Sequence, residues 1–383
     1  MRPSHAAPPL LPSLAVLGAI ALLGPACTEG AAGGGRPLGV TADASCERSL
    51  TAYQGDCLAP GPVDPAEGIV AHYGPADYDD PDQIARYLVP PGKEPVDCDY
   101  VDLGNAEEFA YSRYEVRSRP GTHHVILDST AAQVPPGTHG SCDGRFEGVR
   151  LLATVQGAID GGIFEYPPSG VIAPENAHVG TVLSPHQLIA YEVHAVNATE
   201  APLLRESWTT FRTLPPGEVT EPAAAFAFNG GISMHVKPGT RQVITNQCVV
   251  PAPVGPVRVL DLFGHMHAHG VRVSAWSVTP DSTSPTGEAR RLIYETYDWS
   301  KTDLLELSSA VKNPPVTYRG GSPGGASGPL ELAAGDRIDY ECEIVNTTSR
   351  ELTFVARAFD GEMCNLFGSY VPGRTDPWVC LGQ

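Results

Sequence analysis

Gly121-Thr122-His123-His124-Val125-Ile126-Leu127, entered through Pro120, reads as a β-strand and sets the fold class of the chain. The run is short, closes on β-branched and apolar residues, and follows a Pro-Gly pair that breaks any preceding element. Ala190-Tyr191-Glu192-Val193-His194-Ala195-Val196-Asn197 has the same texture, as do Phe109-Ala110-Tyr111, the stretch from Val149 to Val155 and that from Leu188 to Val196. Further strands are expected near Ile232 to Val236, Arg258 to Phe263, Val271 to Val278, Asp336 to Val345 and Leu352 to Phe359. No stretch sustains a helical period, and 41 glycines and 37 prolines punctuate the apolar runs. The chain reads as all-β.

Its 383 residues can build two domains with cores of their own. Thr213-Leu214-Pro215-Pro216-Gly217, running on to Ala223-Ala224-Ala225, looks like the linker between them. The expected organisation is a signal peptide over 1–26, a flexible tether over 27–44 and a small Cys-bridged segment over 45–65. Two β-sandwich domains follow, over 66–213 and 222–383. The signal rests on Arg2, the apolar run from Leu10 to Leu23, and Gly24-Pro25-Ala26-Cys27. Leu22 to Cys27 resembles a bacterial lipobox, with its Leu one position far from the Cys. Lipidation of Cys27 and ordinary cleavage after Ala26 are both open, so the chain is expected to be exported, as a cell-envelope lipoprotein or secreted. The membrane would then be met only through a lipid anchor. The formal net charge of -19, spread along the chain, argues against nucleic acid as a partner.

Apart from Cys27, the cysteines are 46, 57, 98, 142, 248, 342, 364 and 380. An even set behind a secretory signal points to disulfides, and no Cys-x-x-Cys pair suggests a zinc ribbon. Spacing alone leaves 105 pairings open.

The histidines carry the chemistry. In Phe263-Gly264-His265-Met266-His267-Ala268-His269-Gly270, residues two apart share a strand face, so His265 and His267 present two imidazoles to one ion. A solvated polar face is the alternative. His123 and His124 are adjacent and would point to opposite faces, so they can bind one ion only if the backbone is irregular there. Surface histidines are the alternative reading. Met363, in Gly361-Glu362-Met363-Cys364-Asn365-Leu366-Phe367, offers a thioether that suits Cu(I), or else packs in a core. A zinc site of His265, His267 and a carboxylate is also open, though no His-Glu-x-x-His is present. His72, His139, His178, His186 and His235 have no companion at ligand spacing.

Taken in order, the His-His within a strand, Val193-His194 with Asn197, His265-x-His267 and Glu362-Met363-Cys364-Asn365 resemble the copper type II, ascorbate-dependent monooxygenases. Peptidylglycine α-hydroxylating monooxygenase and dopamine β-monooxygenase belong to that family, and the likeness runs from about Val89 to Cys380. The resemblance implies two tandem jelly-roll-like sandwiches separated by an open, water-filled cleft. It implies an electron-transfer copper on His123, His124 and His194, and an oxygen-binding copper on His265, His267 and Met363, on opposite walls. His265, His267 and Met363 would be the catalytic set, with ascorbate as reductant and dioxygen and a small molecule as substrates. It also implies pairing of Cys98 with Cys142, Cys248 with Cys380 and Cys342 with Cys364, leaving Cys46 for Cys57. The chain departs from the pattern at two positions. Phe263 stands where the amidating enzymes have a carboxylate-reading Arg, and Phe367 where they have a Tyr, while Asn365 is retained. Asn365, Phe263 and Phe367 would therefore line a substrate pocket suited to an apolar or aromatic molecule. His269 replaces an apolar residue and would stand behind the ligands.

Overall fold

Residues 337–345 alternate so that Ile338, Tyr340, Cys342 and Ile344 are buried in a core. Their charged neighbours form the other face, where Arg272 spans Glu341, Glu343 and Glu295 at 2.9, 3.4 and 3.8 Å. Strands of this period, repeated along the chain, build the computed structural model. It describes residues 60, 63–142, 150–156, 161–166, 174–302, 304–307, 329–373 and 378–382. The signal segment, Cys27, the tether and the Cys46–Cys57 pair lie outside the described residues.

The protein is all-β, two β-sandwiches in tandem. In the first, a six-stranded sheet runs Gly68–Tyr73, Ser207–Thr213, Phe109–Ser118, Val179–Leu183 and Glu221–Pro222, with Gly162–Tyr166 beside Phe109–Ser118. It packs on a five-stranded sheet ordered His139–Gly140, Val96–Asp102, Leu188–Ala195, Thr122–Ser129 and Arg150–Gln156. Tyr73, Val116, Leu127, Tyr191 and Phe211 fill the space between the two. In the second sandwich one sheet centres on Val257–His265, Cys364–Val371 and Ala224–Gly230. The other is ordered Arg241–Val249, Arg337–Val345, Gly270–Pro280 and Glu288–Thr296, and Phe228, Met266, Tyr340 and Trp378 are core residues between the sheets.

Two expected strands and the expected linker come out differently. Only His235–Val236 of the stretch from Ile232 is paired, because Met234 N–H closes a turn onto the Gly231 carbonyl at 2.9 Å. The stretch from Leu352 stops being a strand after Thr353. Ala224 and Ala225, assigned above to the linker, open a strand whose Ala224, Phe226 and Phe228 alternate inward. Small side chains there disguise the period.

Both sandwiches use one clamp, a repetition that sequence inspection missed. Asn197 Nδ2 donates to the carbonyls of Val89 and Ala201, and Asn346 Nδ2 to those of Val236 and Arg350, all at 2.7–2.8 Å. Gly92 and Gly239 N–H donate back to the Asn197 and Asn346 carbonyls. Val89-Pro90-Pro91-Gly92 with Val196-Asn197-Ala198-Thr199 therefore recurs as Val236-Lys237-Pro238-Gly239 with Val345-Asn346-Thr347-Thr348. Three disulfides form as the resemblance implied, Cys98–Cys142, Cys248–Cys380 and Cys342–Cys364. Each is worth about 2–4 kcal/mol by restricting the unfolded chain.

The described residues form one compact unit. Arg150 helps hold the halves together, its guanidinium donating to the carbonyls of Val182 and Ala223 at 3.0 and 2.8 Å.

Candidate metal centre

Gly121 turns the chain into the first histidine strand with φ of 93°, and a Cβ there would stand 2.8 Å from Leu203 Cδ1. The strand Thr122–Ser129 then pairs with Leu188–Ala195. His194 lies opposite His124, but Ala195 lies opposite Thr122, so His123 is an extra residue in the ladder. A β-bulge of this kind re-aims a side chain that regular pleating would send to the far face. It supplies the irregular backbone that two adjacent histidines need: the His123 and His124 rings are 5.3 Å apart, and each lies within 5.0 Å of His194.

The second set arrives differently from the expected shared strand face. His265 is the last residue of its strand, and His267 follows in a turn whose Gly270 N–H bonds the His267 carbonyl at 3.0 Å. The rings still converge, with Nε2 atoms 3.3 Å apart. Two nitrogens about 2.0 Å from one tetrahedral ion stand roughly that far from each other.

The two sets do not sit on opposite walls of an open cleft. His123 is 5.4 Å from His265 and 5.6 Å from His267 by ring centroids, and His124 is 5.0 Å from His265. The ligand atoms regroup across the sandwiches: His123, His124 and His265 form one triad and His123, His194 and His267 another, each with atoms within 4.8 Å of one another. All five residues are buried. Burial first, and the neighbouring imidazoles second, hold His123, His265 and His267 far below the ordinary histidine range. They are therefore neutral at neutral pH, the form that binds metal.

Side chains around the cluster select which nitrogen each ring offers. Glu192 Oε1 is 3.0 Å from His124 Nε2, Glu94 Oε1 is 2.8 Å from His194 Nε2, and Gln156 Oε1 is 2.7 Å from His265 Nδ1. Such partners fix tautomer and ring orientation in metal sites. Glu362 is fully buried and takes N–H groups from His267, His269 at 3.1 Å and Met363 at 2.9 Å, and burial pushes its carboxyl up to about 8. Glu192, Glu94 and Gln156 were not singled out from sequence, although Glu192 shares its strand face with His194 and could have been, and Glu362 entered only as part of the Glu-Met-Cys-Asn motif with no role of its own. His269 stays outside the cluster, its ring toward the Phe359 carbonyl. His186 lies apart, exposed and paired with Asp102 at 3.5 Å.

A cavity of about 720 Å³ adjoins the histidines between the sandwiches. Met363 stands just before the strand Cys364–Val371, and Met363, Asn365 and Phe367 alternate onto one face that lines the cavity. Asn365 is opposite His265 and Phe367 opposite Phe263 in the ladder, and the two Phe rings stack at 5.2 Å. Asn365 Nδ2 points to Met363 Sδ at 3.6 Å.

The donor set fits a copper ion. Five imidazoles, with a thioether lining the adjoining cavity, suit Cu far better than the oxygen-seeking Ca or Mg. Both ring nitrogens of His123, and Nδ1 of His194 and of His267, are buried with no hydrogen-bond partner. A bound ion would satisfy such atoms.

If Glu192 orients His124 for ligation, Glu192→Ala should weaken copper binding by roughly 10–100-fold, while Glu192→Gln keeps an acceptor and loses less. Competitive copper titration measures both, and equal affinities across the three proteins would dismiss that role.

No known family profile matches the chain, and no curated protein matches it. Among solved structures it is similar to an archaeal-virus protein described by its triple jelly roll fold and turret assembly. The identity is 8% and the TM-score 0.20, over 77% of this chain and 60% of that one. It is also similar to the STIV MCP, at 10% identity and TM-score 0.25, over 74% of this chain and 93% of that one. The chain spans only 60% of the length of the first.

Proposed function

We propose that the protein is an exported copper-dependent monooxygenase that hydroxylates a C–H bond of a small apolar or aromatic molecule. The observation that carries this reading is a buried five-histidine cluster opening onto a cavity that also presents Met363. The balance is RH + O₂ + 2e⁻ + 2H⁺ → ROH + H₂O, with electrons from ascorbate or another one-electron reductant. Copper, when bound, supplies the one-electron chemistry. His123, His124, His194, His265, His267 and Met363 would hold it, Glu192, Glu94 and Gln156 orient the rings, and Asn365 borders the thioether. Phe263 and Phe367 offer the substrate an apolar wall without a cation. The rim supports an apolar ligand too, since Ile232, Val379 and Leu381 are 46%, 49% and 68% exposed at the cavity.

The experiment is turnover of an aromatic panel with copper, ascorbate and dioxygen, comparing wild type with Met363→Ala. Hydroxylated product is expected. It should fall by more than the roughly 10–100-fold that loss of an outer partner causes. Unchanged turnover in the variant would remove Met363 from the site. The absence of charged readers at Phe263 and Phe367 favours a second reading, a non-catalytic copper-handling lipoprotein. Bound copper with reductant oxidised and no hydroxylated product would select that one.

A further inference from the structure

His123 differs from the other four histidines in a way that neither ligand set of the resemblance accounts for. It belongs to both triads that the structure brings together, one through His124 and His265 and one through His194 and His267. His124, His194 and His265 each give one ring nitrogen to Glu192, Glu94 or Gln156. His123 gives neither. Its Nδ1 and Nε2 are both buried without a hydrogen-bond partner, and the residue is 0% exposed. A neutral imidazole sealed from water with two unanswered nitrogens is costly, by about 1–3 kcal/mol for each unmet polar group. The bulge that turns this ring into the cluster is a further departure from regular pairing. Around the ring stand four imidazoles and Trp299, the latter at 5.7 Å between ring centroids, and among the described residues neither of its ring nitrogens makes a hydrogen bond.

We propose that His123 is a bridging ligand, binding one metal ion through each ring nitrogen, so that the two sandwiches share one dinuclear centre. This rests on the copper reading above. Coordination balances simply. The first ion binds a lone pair of neutral imidazole. The second binds the other nitrogen as its N–H bond breaks, and that proton leaves to solvent, giving an imidazolate between the ions. The broken N–H bond gives the step its own signature, a proton that wild type releases and a chain without the His123 ring does not. Cross-sandwich bonds hold the halves in register for it. Gln156 of the first sandwich bonds His265 of the second, and donates to the carbonyls of Met266 and Trp299. Glu94 bonds both His194 and the Ala358 N–H, while the Ala358 carbonyl accepts from Ala268 beside His267 at 3.1 Å.

The full chain, titrated with Cu(II) in weak buffer, tests this by copper content, spin-counted electron paramagnetic resonance and proton release. Two coppers per chain are expected, with a spin count well below the copper content because an imidazolate couples the two centres. One proton should leave with the second equivalent. In His123→Ala the spin count should equal the copper content and that proton should vanish. Gln156→Leu, which leaves every ligand in place, should restore part of the signal by loosening the register. If His123→Ala does not fold, the wild-type spin and proton counts decide alone. Two coppers giving full mononuclear intensity and no proton would overturn the bridge and leave the copper reading standing. Failure to bind copper would overturn both.

Discussion

Glu362→Ala is expected to lower the stability of the second sandwich by roughly 3–9 kcal/mol. The carboxylate is fully buried and accepts the backbone N–H groups of His267, His269 and Met363. Alanine would strand these buried donors at about 1–3 kcal/mol each. That is a large share of the 5–15 kcal/mol that typically holds a fold together. Urea unfolding of the metal-free protein measures the loss, and a change under about 1 kcal/mol would mean the amides find other acceptors. A glutamine keeps one acceptor oxygen, so Glu362→Gln should lose markedly less. The same carboxylate ties the turn carrying His267 to the segment carrying Met363, two elements 95 residues apart in the chain. Copper binding should therefore fall with stability, and the ratio of Ala to Gln effects on affinity separates positioning from unfolding.

Much of this was legible in residue order, and the limits have physical causes. Period-two alternation announces the strand at Arg337, while Thr122–Ser129 and Leu188–Ala195, buried almost throughout, are legible instead as short apolar runs bounded by breakers. It fails at Ala224–Gly230, where Ala224 and Ala225 carry too little apolar surface to mark a face. The convergence of His123 and His124 depends on a bulge created by pairing with Leu188–Ala195, a long-range register that no local window contains. His265 and His267 do converge, yet through a turn rather than the shared strand face. Gln156 and Glu94 were invisible because their partners lie 109 and 100 residues away. Meeting of the five rings in one cluster is likewise a property of how two sandwiches pack. Neither sandwich encodes it alone.

For the aromatic substrate proposed above, Phe263→Arg is expected to reverse substrate preference. Phe263 is 3% exposed, stacks on Phe367 and meets Tyr166 edge-on at 6.2 Å, so the position faces a dry, ring-lined wall. A guanidinium there would carry five donors and a fixed charge into the cavity. For an aromatic substrate this puts an unpaired cation against an apolar group, and kcat/KM should fall about 100-fold. A carboxylate-bearing analogue gains a bidentate, charge-assisted partner worth roughly 1.5–3 kcal/mol, or about 10–100-fold. The specificity ratio between the two should thus move by about three orders of magnitude, since discrimination is a difference of affinities and both terms change in the same direction. Phe263→Leu is the control: it keeps the wall apolar, so it should weaken both substrates without reversing their order. A ratio unchanged in the Arg variant, with copper content intact, would show that substrate binds away from this wall. The cavity rim at Ile232, Val379 and Leu381 would then be the surface that selects it.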